Sequence, residues 1–161
     1  MKKLISAGAL LVVLGGAAYV AVDHQDDIEH YIEQMKPDPM AFNPYDKGQC
    51  TDYVFEKVKK DGNMIGKSWG DAKYWHTKAK EDDYQVNQQP KVKSLMQSPR
   101  GEQGHVAYIE AIHDNGALYV TEMNYEAPHK VTSRTIQPER VQDYHYIHPK
   151  KNPKVQDTKD V

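Results

Sequence analysis

Gly104-His105-Val106-Ala107-Tyr108-Ile109-Glu110-Ala111-Ile112, then His113-Asp114-Asn115-Gly116, then Ala117-Leu118-Tyr119-Val120-Thr121-Glu122-Met123-Asn124-Tyr125, reads as a β-hairpin. Both arms are rich in β-branched and aromatic residues, and Asp114-Asn115-Gly116 supplies the turn. Shorter candidate strands flank it, over 84–86 and 92–97 before and over 131–136 and 144–147 after. The segment ahead of these strands has a different period. Val54, Phe55 and Val58 recur at helical spacing, with Asp52 and Glu56 early and Lys57, Lys59 and Lys60 late, so a helix is expected over Cys50–Lys60. Ala72, Trp75 and Ala79 give residues 70–80 one apolar helical face, and both tryptophans read as core. Helices first and strands later predict an α+β domain, its N-terminal helices packed on a mainly antiparallel sheet.

The folded domain is expected over 42–149. Residues 23–41 read as a spacer, with a short amphipathic stretch over 24–35 ended by Pro37-Asp38-Pro39. Residues 150–161 are charged and lack apolar periodicity, which predicts a disordered tail. At the N-terminus, Lys2 and Lys3 precede an apolar run over 4–22, a basic flank followed by a stretch of about bilayer length. Gly16-Ala17-Ala18 offers small residues for signal cleavage, yet the apolar run continues past them. Residues 1–22 therefore read as a signal peptide or as an uncleaved membrane anchor. Either way the basic flank keeps that end in the cytoplasm and sends the rest outside.

Composition narrows the function. The net charge of −2 gives no general case for nucleic acid binding. The single cysteine excludes an internal disulfide. Among the histidines, His145 and His148 have no convincing partners in a metal-ligand set, so no metal and no cofactor is expected.

That cysteine, Cys50, falls at the expected helix start, after the turn residues that end at Gly48. Unpaired N–H groups and the positive end of the macrodipole favour the reactive thiolate there. A cysteine nucleophile needs a base, and the base needs a group to orient it. The hairpin offers both. Glu122 and Asn124 are two apart, so they share one strand face. With a His113–Gly116 loop, Ile112 faces Ala117, His105 faces Asn124 and Ala107 faces Glu122. A two-residue Asn115-Gly116 loop keeps the shared face, and only an odd-length loop would separate His105 from the other two. This face is expected to meet the helix start that carries Cys50.

Four segments together, Gly48-Gln49-Cys50-Thr51, Trp69-Gly70-Asp71-Ala72 with Trp75, Gly104-His105-Val106-Ala107-Tyr108, and Glu122-Met123-Asn124-Tyr125, resemble the cysteine, histidine-dependent amidohydrolase/peptidase family, the CHAP domains. The likeness covers about 43–149. It implies a papain-like α+β fold and cleavage of amide bonds in bacterial peptidoglycan, either a muramoyl–alanine amidase or a stem or cross-bridge endopeptidase. It carries Cys50 over as nucleophile, His105 as base and Glu122 as the polar third member, with Asn124 as an accompanying asparagine. The Cys50 backbone N–H and the Gln49 side chain are the candidate oxyanion donors. The expected partners are peptidoglycan and, if residues 4–22 stay uncleaved, the membrane, with the protein at the bacterial cell wall. Asp52 departs from the family, many members of which have an aromatic residue at that position. It is the feature that keeps a second reading open, a membrane-tethered binding or assembly protein without turnover. A third reading is a cysteine peptidase acting on protein.

Overall fold

Thr51, Val54, Phe55 and Val58 fall on one helical stripe, and α1 (Cys50–Lys60) buries all four. In the computed structural model, residues 35–155 are described, together with 28, 29 and 32. Residues 1–37 and 38–161 form two units. In the first, residues 28, 29, 32 and 35 are helical, within the stretch expected to be so. The proposed signal or anchor over 1–22 lies outside the described residues. Among the described residues, no helix is long and apolar enough to cross a membrane.

The second unit holds the α+β domain. After α1 come β1 (Asn63–Met64), a 3₁₀ turn at Ala72–Tyr74, α2 (Trp75–Glu81), β2 (Val86–Asn87), β3 (Leu95–Ser98), β4 (His105–Ile112), β5 (Leu118–Met123), β6 (Val131–Ile136), a 3₁₀ segment at Pro138–Asp143, β7 (His145–Ile147) and β8 (Lys150–Lys151). Six strands form one antiparallel sheet in the order β2-β7-β3-β4-β5-β6. Both its faces are covered. One carries Leu95, Val106, Tyr108 and Ile147 against Val54, Phe55, Val58, Trp69 and Trp75. The other carries Met96, Ala107, Ile109, Val120, Ile136 and Tyr146 with Val141 of the 3₁₀ segment. The tryptophans are core, as expected, and each indole N–H is satisfied. Trp69 donates to Asp82 Oδ2 at 2.7 Å and Trp75 to the Gly70 carbonyl at 2.8 Å.

Two domain limits need correction. Residues 150–155 do not belong to a disordered tail. Lys150 and Lys151 pair with Met64 and Asn63 in a second, two-stranded sheet. Asn152, 2% exposed, donates its backbone N–H to the Gly62 carbonyl at 3.0 Å and its Nδ2 to Asp38 Oδ1 at 2.8 Å. Nor does the spacer reach residue 41, because Met40 is fully buried in the core and Asp38 also accepts the Met40 N–H. Backbone pairing and one buried amide order this charged segment, and neither leaves an apolar period in the sequence. Residues 156–161 lie outside the described residues.

The hairpin turn also differs from expectation. Ile112 pairs with Leu118, and the His113 N–H bonds to the Ala117 carbonyl, leaving the odd three-residue turn Asp114-Asn115-Gly116. Alone, that turn would rotate His105 away from Glu122. A β-bulge at Glu110 compensates, since Ile109 pairs with Val120 and Tyr108 with Thr121. Counting on from there returns His105 to Asn124 and Ala107 to Glu122. The bulge is tied down on both sides. Glu110 accepts from Lys57 Nζ of α1 at 2.6 Å and from Thr121 Oγ1 of β5 at 2.7 Å.

Candidate active site

Cys50 is the first residue of α1, and His105 is the first of β4. The body of α1 packs on the Val106 and Tyr108 face, whereas His105 and Glu122 alternate with them and group with Ala107 and Val120. Cys50 therefore meets His105 where helix and strand begin, not across the middle of a sheet face. Two glycines in the left-handed region make this approach possible. Gly48 has φ +81, and a Cβ there would lie 2.1 Å from His129 Nδ1. Gly104 has φ +70, and its Cβ would lie 2.4 Å from the Lys73 backbone nitrogen. No larger residue fits either place without moving backbone or ring.

The helix start is held by Asp52. Its Oδ2 accepts the Gly48 N–H at 2.8 Å, and its Oδ1 accepts Asn43 Nδ2 at 2.7 Å. From the first turn it binds the N–H of the residue before the N-cap and so fixes the Gly48-Gln49-Cys50 loop. This gives the unusual carboxylate a structural use beside Cys50.

His105 Nε2 and Glu122 Oε2 are 2.8 Å apart. That leaves Nδ1 as the ring nitrogen turned from the carboxylate, and the imidazole interacts electrostatically with Cys50. Burial pushes the His105 pKa down, but the hydrogen bonds and charges of Cys50 and Glu122 outweigh it and raise it to about 9. Glu122 is fully buried, which alone would raise its pKa. Hydrogen bonds from His105 and Arg134 reverse the sign and hold it below the ordinary carboxylate value.

The other expected residues divide between tasks. Asn124 does not touch the imidazole in any recorded bond. Its Nδ2 donates to Gln49 Oε1 at 2.8 Å, its Oδ1 accepts the His129 N–H, and its own φ is +64. It therefore orients the Gln49 amide, leaving Nε2 as the donor end, while Glu122 alone orients the ring. All five residues, Gln49, Cys50, His105, Glu122 and Asn124, are gathered at one place, and four of them line a cleft of about 620 Å³, with Glu122 buried behind His105. Asp46, Asp71 and Tyr125 form parts of its walls. Among the described residues no three His, Cys, Asp or Glu side chains cluster as metal ligands.

Sequence reading missed Arg134. It lies on β6, whose alternation puts it on the same side as buried Ile136. An arginine on the inward parity of a strand is the signal that could have found it, because an inward cation needs a carboxylate.

Residues 40–124 match the CHAP domain family. Over 107 residues the chain is 46% identical to the probable autolysin SsaALP of Staphylococcus aureus, covering 66% of this chain and 40% of that protein. Staphylococcal secretory antigen ssaA2 of the same species is also 46% identical, over 66% of this chain and 39% of the relative. The chain thus spans about two fifths of the length of these relatives. Among solved structures, an N-acetylmuramoyl-L-alanine amidase from Staphylococcus aureus superposes with a TM-score of 0.65 at 32% identity, over 68% of this chain and 32% of that one. With the family's match spanning more than half its length, this chain belongs to the CHAP domain family.

Proposed function

We propose that this protein hydrolyses an amide bond of peptidoglycan, with Cys50 as the nucleophile. The observation that carries the reading is Cys50 and His105 side by side in the lining of an open cleft, with the ring held from behind by the buried carboxylate of Glu122. A relative named as a probable autolysin and a neighbour named as a muramoyl-alanine amidase support the bacterial wall as the substrate.

In the reaction, the Cys50 sulfur attacks the amide carbonyl after its proton has passed to His105. The oxyanion is met by the Cys50 backbone N–H at the helix start and by Gln49 Nε2, which Asn124 orients. His105 then gives its proton to the departing amine, leaving a thioester on Cys50. Water, deprotonated by His105, attacks the thioester. The carboxylic acid product leaves, and the proton returns to the Cys50–His105 pair. Glu122 holds the ring throughout. The same groups serve a muramoyl–alanine amidase and a stem or cross-bridge endopeptidase.

The domain acts outside the cytoplasmic membrane, reached through residues 1–22 as signal or anchor. A relative named as a secretory antigen supports this location. Protease added to intact protoplasts should digest the domain, and a domain protected inside the cell would refute the location. For the chemistry, the test is clearing of purified cell walls beside cleavage of a protein substrate such as casein. Wild-type protein should clear walls and leave casein intact, and folded Cys50→Ser should cleave neither substrate. Cleavage of casein without clearing of walls would overturn the substrate.

A further inference from the structure

We propose that Arg134 is a positioning residue for the Cys50–His105 pair, acting through Glu122. This inference rests on the function proposed above and extends it to a residue that never reaches the thiol.

The geometry is a row of four groups. Glu122 Oε1 accepts the Arg134 Nε–H at 2.6 Å, and Oε2 accepts both Arg134 Nη2 at 3.3 Å and the His105 ring N–H at 2.8 Å. On the strand ladder Val120 faces Arg134 and Glu122 faces Thr132, so Arg134 sits diagonally across from the carboxylate. The Glu122 side chain is 0% exposed and that of Arg134 25%. The guanidinium lies 3.8 Å from the centroid of the Tyr125 ring, and that ring lies 5.5 Å from the His105 ring. Tyr125 therefore flanks both ends of the Arg–Glu–His row.

Two physical consequences follow. A lone carboxylate buried this completely would take up a proton, and a neutral acid holds an imidazolium weakly. The positive charge of Arg134 keeps Glu122 ionised. A carboxylate held by one hydrogen bond would also be free to rotate. The two-pronged guanidinium contact fixes its plane, so Oε2 stays aimed at His105 Nε2 and Nδ1 stays turned to Cys50. The charged and titratable groups around this row are few. Cys50 faces His105 from α1, Tyr144 interacts with Arg134 from the end of the 3₁₀ segment, and Tyr125 adjoins β5. Among the described residues, none of these groups is a lysine that could replace Arg134.

The single cysteine makes the test clean, since alkylation by iodoacetamide reports Cys50 alone. Alkylation rates of the wild-type protein, Arg134→Gln, Arg134→Lys and His105→Ala are measured from pH 4.5 to 10, with folding checked by circular dichroism. The wild-type profile sets the reference acid limb. Arg134→Gln should move the acid limb up by about one pH unit, which is about tenfold slower reaction on that limb, and should converge with wild type at high pH. Arg134→Lys keeps the charge and should stay on the wild-type limb, with loss confined to kcat on purified peptidoglycan. An unmoved limb in folded Arg134→Gln, or a uniform loss at every pH, overturns the inference. If Arg134→Gln fails to fold, Arg134→Lys decides alone, and a displaced limb in that variant overturns it. A wild-type limb left unmoved by His105→Ala refutes the Cys50–His105 pairing itself, and this inference with it. A limb that His105→Ala moves but Arg134→Gln does not refutes this inference only.

Discussion

Glu122→Gln preserves the shape of the side chain and removes its charge, which isolates what the buried carboxylate does. In the wild type its two oxygens accept three N–H donors, two from Arg134 and one from His105. Glutamine has one acceptor oxygen and an NH₂ group, so at least one donor must face another donor. Breaking a buried ion pair by removing one partner costs about 3–5 kcal/mol. Arg134 keeps 25% side-chain exposure and retains some hydration, which favours the lower end, about 3 kcal/mol. For a domain of this size that lowers the melting temperature by about 10 °C. The ring should respond in parallel. Without the carboxylate, burial pushes the His105 pKa down and Cys50 alone opposes it, so the value should fall from about 9 by at least about one unit. Thermal melts followed by circular dichroism give the first number, and NMR titration of the His105 ring protons gives the second. A variant that melts within about 1 °C of wild type, a shift too small for a broken buried pair, and titrates unchanged would refute the reasoning.

His105→Ala should abolish wall hydrolysis nearly as fully as loss of the nucleophile, because the pair acts as a unit, and a folded variant keeping a tenth of wild-type turnover in a wall-clearing assay would be at odds with that. Stability should follow pH in two steps. The raised His105 contributes fully below its ordinary value of 6.5 and loses that contribution as pH rises through about 9, whereas the lowered Glu122 contributes above 4.5 and loses it as pH falls through its depressed value. Melts at fixed ionic strength should therefore be flattest from about 4.5 to 6.5, and a His105→Gln variant should lose much of the alkaline decline. Gly104→Ala should cost at least about 2 kcal/mol, since its φ of +70 is unfavourable for alanine and the new Cβ meets the Lys73 backbone, and an unchanged urea midpoint would contradict it.

Much of this was legible in the residues. Helical spacing placed Cys50–Lys60 to the residue, because its buried stripe and its charges agree. The hairpin was legible as two strands and a turn, and the pairing of His105 with Glu122 followed from strand alternation. The bulge at Glu110 was not, because the contacts that pin it come from Lys57, 53 positions away, and from Thr121 on the partner strand. Two departures cancelled there, an odd turn and one extra residue, and the site survived both. Strand alternation puts Asn124 on the His105 face, but its left-handed backbone sends the amide to Gln49 instead. Asp52 reads in the sequence as a departure from the family, and only the fold shows that Gly48 and Asn43 occupy its oxygens. The ordered segment after residue 149 depended on one buried asparagine, which no period announces.

The central claim is that Cys50 cleaves an amide bond of the bacterial wall. Its most direct test is mass spectrometry of the fragments that wild-type protein and a folded Cys50→Ala variant release from purified peptidoglycan. The account predicts a new amine and a new carboxylate terminus at one amide bond with wild type, and neither with Cys50→Ala. No new termini with wild type, or the same termini from the alanine variant, would contradict it.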